Sequence, residues 1–111
     1  MNDWKEDVNF AITVCDADFK VLEINQKAAK TFAKDGGKAL IGTSLMNCHP
    51  EHAREKIKQM MAGARTNAYT IEKNGVKKLI YQTPWYKDGK AAGLVELSLE
   101  LPAEMQHFVR K

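Results

Sequence analysis

From Ala68 onward the sequence adopts a period of two. The stretches "AYTIEK" (68–73), "VKKLIYQTPWY" (76–86) and "AAGLVELSLEL" (91–101) read as three strands. They are separated by Asn74-Gly75 and Asp88-Gly89, dipeptides that tolerate the positive φ of tight two-residue turns. Strands joined so closely pair antiparallel. The middle strand holds Pro84 near its end, where a missing backbone donor costs least. A meander of this kind has a face to bury, and the rest of the chain must cover it.

The preceding residues supply two more strands and the cover. "FAITVC" (10–15) and "VLEI" (21–24) flank the turn "DADFK" and form a hairpin. Asn25 can cap a helix through "QKAAKTFAKDGG", with Ala28, Ala29 and Phe32 on one face, ended by Gly36 and Gly37. "KALIGTSLMNCH" reads as short helical turns. Pro50 suits the first turn of a helix over 50–64, with Ala53, Ile57, Met60, Met61 and Ala64 at helical spacing. Beyond Pro102, "AEMQHFVRK" reads as the start of a further helix, with Leu101, Met105, Phe108 and Val109 as its stripe. The expectation is an α+β fold: a five-stranded antiparallel sheet with short helices packed on one face. Residues 1–9 are expected as an N-terminal cap helix, 10–101 as one domain and 102–111 as the start of a C-terminal linker helix.

Composition narrows the function. The net charge of +3 is mild and the lysines are dispersed, so no nucleic-acid footprint is read. No apolar stretch approaches the roughly 20 residues that span a bilayer. The start "MNDWKEDVNF" lacks the apolar core of a signal peptide, so no membrane partner and a cytoplasmic location are expected. Two cysteines, Cys15 and Cys48, are too few for a disulfide framework. No Ser-His-Asp arrangement, phosphate loop or paired carboxylate stands out, and a non-enzymatic role is expected.

Three stretches in order resemble the PAS domain family over about residues 8–101. They are "ITVCDADFKVLEIN", "LIGTSLMNCHPEHARE" and "TPWYKDGKAAGLVELSLEL". Members of that family are sensory and dimerisation modules of signalling proteins. They bind small molecules, haem or flavin between sheet and helices, or bind nothing and couple partners.

The stretch "NCHPEH" (47–52) invites a redox or metal reading. The resemblance implies a plainer one, in which His49-Pro50 is the entry to the long helix. A metal site needs three or four ligands, and His107 and Cys15 are remote in sequence. Haem-binding members resemble one another in placing a histidine well past the start of the long helix, where "AREKIKQMMAGA" has none. Asn47-Cys48 looks like the flavin-bonding pair of light-sensing members, but His-Pro-Glu-His replaces the Arg-Phe-Leu-Gln that follows there. No metal is therefore expected, and the cofactor is left unassigned. Haem is the runner-up, with Cys48, His49 or His52 as the residues of a haem or redox sensor.

The two faces of the meander differ. Simple alternation puts Val95, Leu97, Leu99 and Leu101 under the helices. The resemblance implies the opposite placement, and it is preferred here. The inward set is then Thr13, Cys15, Thr70, Ile80, Gln82, Leu94, Glu96 and Ser98. A face so polar fits a ligand better than a packed core. The outward set includes Ile12, Val14, Tyr69, Ile71, Leu79, Tyr81, Trp85, Val95, Leu97 and Leu99, an apolar surface that needs a cover. The resemblance implies a homodimer there, with Trp4, Val8, Tyr81, Trp85, Leu97 and Leu99 at the interface.

The function expected is a sensory or regulatory PAS-like domain in signal transduction that binds a small polar ligand and dimerises. Its partners would be the ligand, a second copy and a signalling effector domain or protein. The alternative of a different class is a ligand-free interaction or dimerisation module. The chain would be a stand-alone adaptor or a part of a larger signalling protein.

Overall fold

Both dipeptide turns form as the sequence demands. Asn74 and Gly75 have φ of 54° and 79°, and Asp88 and Gly89 have 51° and 79°. They join three long strands, β3 (Asn67–Lys73), β4 (Val76–Lys87) and β5 (Lys90–Leu101). The first hairpin supplies β1 (Ala11–Asp16) and β2 (Val21–Ile24). All neighbours pair antiparallel in the order β2-β1-β5-β4-β3. This computed structural model describes residues 3–111, with Cys48 described by its backbone alone. The helices are α1 (Trp4–Asp7), α2 (Gln26–Thr31) and α3 (Glu51–Gly63). Three 3-10 turns lie between α2 and α3, at Ala33–Asp35, Gly37–Leu40 and Leu45–Cys48. The five-stranded antiparallel α+β architecture is the one expected.

Three expected helices differ. The helix capped by Asn25 stops at Thr31 and continues as 3-10 turns. The tighter turns keep Phe32 and Leu40 against one core cluster, formed by Ala11, Val21, Ile24 and Ala28. Residues 103–111 form no helix, where the sequence pattern predicts one. Met105, Phe108 and Val109 are exposed, and a helix so short is marginal in water without tertiary contacts. The expected cap helix over 1–9 is reduced to the four residues of α1, and Met1 and Asn2 lie outside the described residues.

A second core cluster joins Cys15, Ile57, Met60 and Leu94, so α3 packs on β1 and β5. Leu45 packs against both clusters. The helices thus cover the side of the sheet that carries Thr13, Cys15, Ile80 and Leu94, all buried. α3 begins after Pro50 and ends at Ala64 in the left-handed conformation.

Asn25 ties the first half of the chain together. Its Oδ1 accepts from the amides of Ile12 and Ala28, at 2.9 and 3.0 Å. Its Nδ2 donates to the carbonyls of Lys5 and Phe10, both at 2.9 Å. One side chain therefore caps α2, starts β1 and anchors the segment after α1. The residue is buried, so each lost bond would leave a desolvated backbone group.

Two bulges set the register. In β2, Thr13 pairs Ile24 and Val14 pairs Glu23, but Cys15 pairs Val21, so Leu22 is the extra residue. Val21 and Ile24, three apart, consequently both turn inward and are buried. In β5, Tyr86 pairs Ala91 and Trp85 pairs Gly93, which leaves Ala92 unpaired. Beside this bulge the Trp85 indole crosses Gly93 and donates from Nε1 to the Cys15 carbonyl at 2.9 Å. A Cβ on Gly93 would stand 1.8 Å from that carbonyl oxygen and 2.6 Å from the indole nitrogen.

Two outcomes follow for stability. Gly93→Ala pushes β5 off β1 and is expected to cost about 3 kcal/mol or more, the upper end for overpacking. Chemical denaturation measures this, and a loss below about 1 kcal/mol contradicts the close approach. Asn25→Ala is expected to cost roughly 3 kcal/mol by orphaning buried backbone groups. Asn25→Asp keeps the two acceptor bonds but sets a carboxylate oxygen against two carbonyls, so it too destabilises. An Asn25→Asp variant as stable as the parent would refute the two donor bonds.

Candidate functional site

The covered face of the sheet is built in rungs that run across the strands. The rung Leu94, Cys15 and Val21, with Pro84 at its β4 end, is buried beneath α3. The next rung crosses all five strands: Asn67, Gln82, Glu96, Thr13 and Ile24. Then come Tyr69, Ile80, Ser98 and Ala11, and then Ile71, Lys78 and Glu100. Polarity therefore rises along one direction, from an apolar rung under α3 to a charged one at the far end of β4.

The second rung is linked by side-chain hydrogen bonds. Gln82 Nε2 donates to Glu96 Oε1 at 2.7 Å, and Asn67 Nδ2 donates to Gln82 Oε1 at 3.0 Å. An ionised carboxylate can only accept, so it fixes which end of Gln82 faces it and, in turn, which end of Asn67. Tyr69 lies close by. Burial, and secondarily the charge of Glu96, hold its phenol above the usual range, so it stays a protonated donor at neutral pH.

Two adjoining cavities lie between this face and the helices. One of about 50 Å³ reaches the apolar end, against Ile57, Met60 and Leu94. The other, about 230 Å³, runs along Tyr69, Ile71, Lys78, Ile80 and Ser98. Thr13, Phe32, His49 and Glu96 line both. The larger space lies below the roughly 300–1,000 Å³ of pockets for drug-sized ligands, so it suits a small metabolite.

Seven of the eight residues expected to face inward do so. Thr13, Cys15, Gln82, Leu94 and Glu96 line the smaller cavity. Thr13, Glu96, Ile80 and Ser98 line the larger one. Thr70 is a correction: it pairs Leu79 on the opposite face. Tyr69 and Ile71, expected outward, line the cavity instead. The tight Asn74-Gly75 turn sets Lys73 opposite Val76, and counting back places Tyr69, not Thr70, beside Ile80. That turn was the signal that could have found them. Lys78, inward by the same count, was also missed.

The histidines and cysteines divide. The His49 ring donates from Nδ1 to the Leu45 carbonyl at 2.8 Å, which leaves Nε2 as its second polar atom. Its own carbonyl accepts from Arg54 Nε at 2.7 Å, which ties the helix entry to α3. His52 is exposed on the first turn of α3. The Cys48 side chain lies outside the described residues. Cys15 is a buried core residue, and desolvation pushes its thiol pKa up, which disfavours the reactive thiolate. Among the described residues, no group of three or more His, Cys, Asp or Glu side chains could hold a metal ion.

The opposite face is apolar, and among the described residues no helix covers it over β4 and β5. Leu79, Tyr81, Trp85, Val95, Leu97 and Leu99 share it, and all are half-buried or exposed. α1 lies at its β1–β2 side, where Lys5 pairs with Glu23 at 3.6 Å. Trp4 is 65% exposed and Val8 is half-buried. The Trp85 N–H is already used within the chain.

Comparison with known proteins follows this geometry. The family described as the PAS fold matches residues 6–104. None of the curated proteins compared is similar enough to match. Among solved structures, a sensory box sensor histidine kinase from Vibrio cholerae superposes with a TM-score of 0.66 at 13% identity, over 86% of this chain and 84% of that one. The Vibrio cholerae VqmA dimer, described as a LuxR-type receptor, gives 0.69 at 13% identity, over 97% of this chain and 55% of that one. The Vibrio cholerae Aer2 receptor, described as a dual PAS-heme oxygen sensor, gives 0.64 at 10% identity, over 85% and 96%. Identities this low carry the fold alone, while the family match spans nearly the whole domain. The chain belongs to the PAS fold family.

Proposed function

We propose that this domain is a non-catalytic sensory or regulatory module of a cytoplasmic signalling system. It binds a small polar ligand between sheet and helices, and it dimerises through the open sheet face. The observation that carries the ligand reading is the bonded row Asn67, Gln82 and Glu96, which sets a carboxylate facing a cavity on the covered side of the sheet. A core that only packs gains nothing from a carboxylate in that position. Thr13 and Ser98 add hydroxyls to the same wall, with the Tyr69 phenol beside them.

The dimer reading rests on the apolar strip of Leu79, Tyr81, Val95, Leu97 and Leu99. A strip of that kind is costly to leave in water and fits the same strip of a second copy. Signal would leave through β5, whose end at Leu101 runs directly into the segment after Pro102. Haem has His49 on the cavity wall in its favour, but a space of about 230 Å³ is small for a macrocycle.

Native mass spectrometry of the purified chain tests the ligand. The expected result is a small adduct on the parent and none on Glu96→Leu. A parent without adduct, together with a Glu96→Leu variant that is more stable and still folded, would leave only the interaction module. Light scattering tests the interface: the parent is expected as a dimer at tens of micromolar, and Leu97→Glu as a folded monomer. A monomeric parent would refute the second copy on this face.

A further inference from the structure

The larger cavity is lined by two opposite charges, neither of which makes a salt bridge among the described residues. Glu96 accepts from a neutral amide, and Lys78 makes no salt bridge among the described residues, although Glu100 stands opposite it on β5. Both side chains are half-buried and both line the same space. A half-buried charge without a partner pays desolvation and gains little in return. A bound molecule with complementary ends would satisfy both.

We propose that the ligand is a small zwitterion lying along β4, with a cationic amine on Glu96 and a carboxylate or other anion on Lys78. This rests on the reading of the cavity as a ligand site. The spacing favours charges set several bonds apart. Lys78 lies four residues from Gln82, the rung partner of Glu96. At about 3.3 Å per residue the two rungs stand about 13 Å apart along the strand, and the lysine stem closes only part of this. An ω-amino acid, with its charges several bonds apart, spans this distance with the lysine stem less extended than an α-amino acid requires.

The wall between the two charges selects the middle of the molecule. Ile80, Tyr69, Ile71 and Phe32 line that stretch, so an aliphatic or aromatic spacer fits there. The Tyr69 phenol, held protonated, and the Ser98 hydroxyl can bond to a spacer oxygen. The Thr13 hydroxyl and the His49 ring stand on the Glu96 side, where the hydroxyl oxygen can accept from an ammonium.

Calorimetric titration with ε-aminocaproate, hexylamine and caproate tests this on the parent, Lys78→Gln and Glu96→Gln. Circular dichroism confirms that each variant is folded. The parent is expected to bind ε-aminocaproate about tenfold or more tightly than either single-charge probe, as a charge-assisted bond at each end implies. Lys78→Gln should lower that affinity to the level of hexylamine, and Glu96→Gln to that of caproate. Equal binding of hexylamine and ε-aminocaproate, or no binding of ε-aminocaproate by the folded parent, overturns the proposal. Where a cellular adduct is present and is lost in Glu96→Leu, that failure strikes the charge assignment alone. Where the parent carries no adduct and Glu96→Leu is more stable, the ligand reading fails with it.

Discussion

One unpaired residue, Ala92, decides which side of the sheet is the interior. The Asp88-Gly89 turn sets Lys87 opposite Lys90 and Tyr86 opposite Ala91. Continued without interruption, that count would set Gln82 against Val95 and Ile80 against Leu97. Polar and apolar side chains would then share rungs, and neither face could be buried cleanly. The extra residue moves the pairing by one, so Gln82 meets Glu96 and Ile80 meets Ser98. Trp85 and Gly93 hold the shifted register in place by reaching across to the Cys15 carbonyl. The bulge is thus fastened to the neighbouring strand and cannot slide out at the turn.

The consequence is a sheet with its conventional polarity reversed. Val95, Leu97 and Leu99, which would make an ordinary core, lie on the open face, while Glu96 and Ser98 lie under the helices. A carboxylate there is tolerable because Gln82 bonds it and Asn67 bonds Gln82 in turn. The apolar core is correspondingly small and divided into two clusters, with Leu45 packed against both. Some of the cohesion that a larger core would supply comes instead from Asn25, whose four bonds hold α2, β1 and the N-terminal segment together.

The parts of the fold legible in the sequence are those set by local chemistry. The two glycine turns, the cap at Asn25, the entry at Pro50 and the strands between them need no distant partner to be read. The interior face was not legible from alternation, because a bulge at an alanine leaves no mark in the hydrophobic pattern. The resemblance to the PAS family supplied that register. Thr70 was misplaced although the sequence held the answer, since a two-residue turn admits one count along β3. The helix pattern after Pro102 fails for a different reason: its apolar stripe is real, but Met105, Phe108 and Val109 stay exposed.

The inner and outer faces are coupled by the thickness of one strand. Glu96 points toward the cavity, and its neighbours Val95 and Leu97 point to the open face. A ligand that draws on Glu96 therefore acts on the backbone that positions the apolar strip. The same strand ends at Leu101, and beyond it Met105, Phe108 and Val109 are exposed. Apolar side chains in that state take their structure from whatever covers them. A small shift in β5 can then change which surface the following segment meets, without any large rearrangement of the sheet. In the proposed reading, this is how a cavity on one face reports to an interface on the other. The bulge at Ala92 makes it possible, because it sets the carboxylate in the rung of Gln82 on the covered side and leaves the apolar strip on the open one.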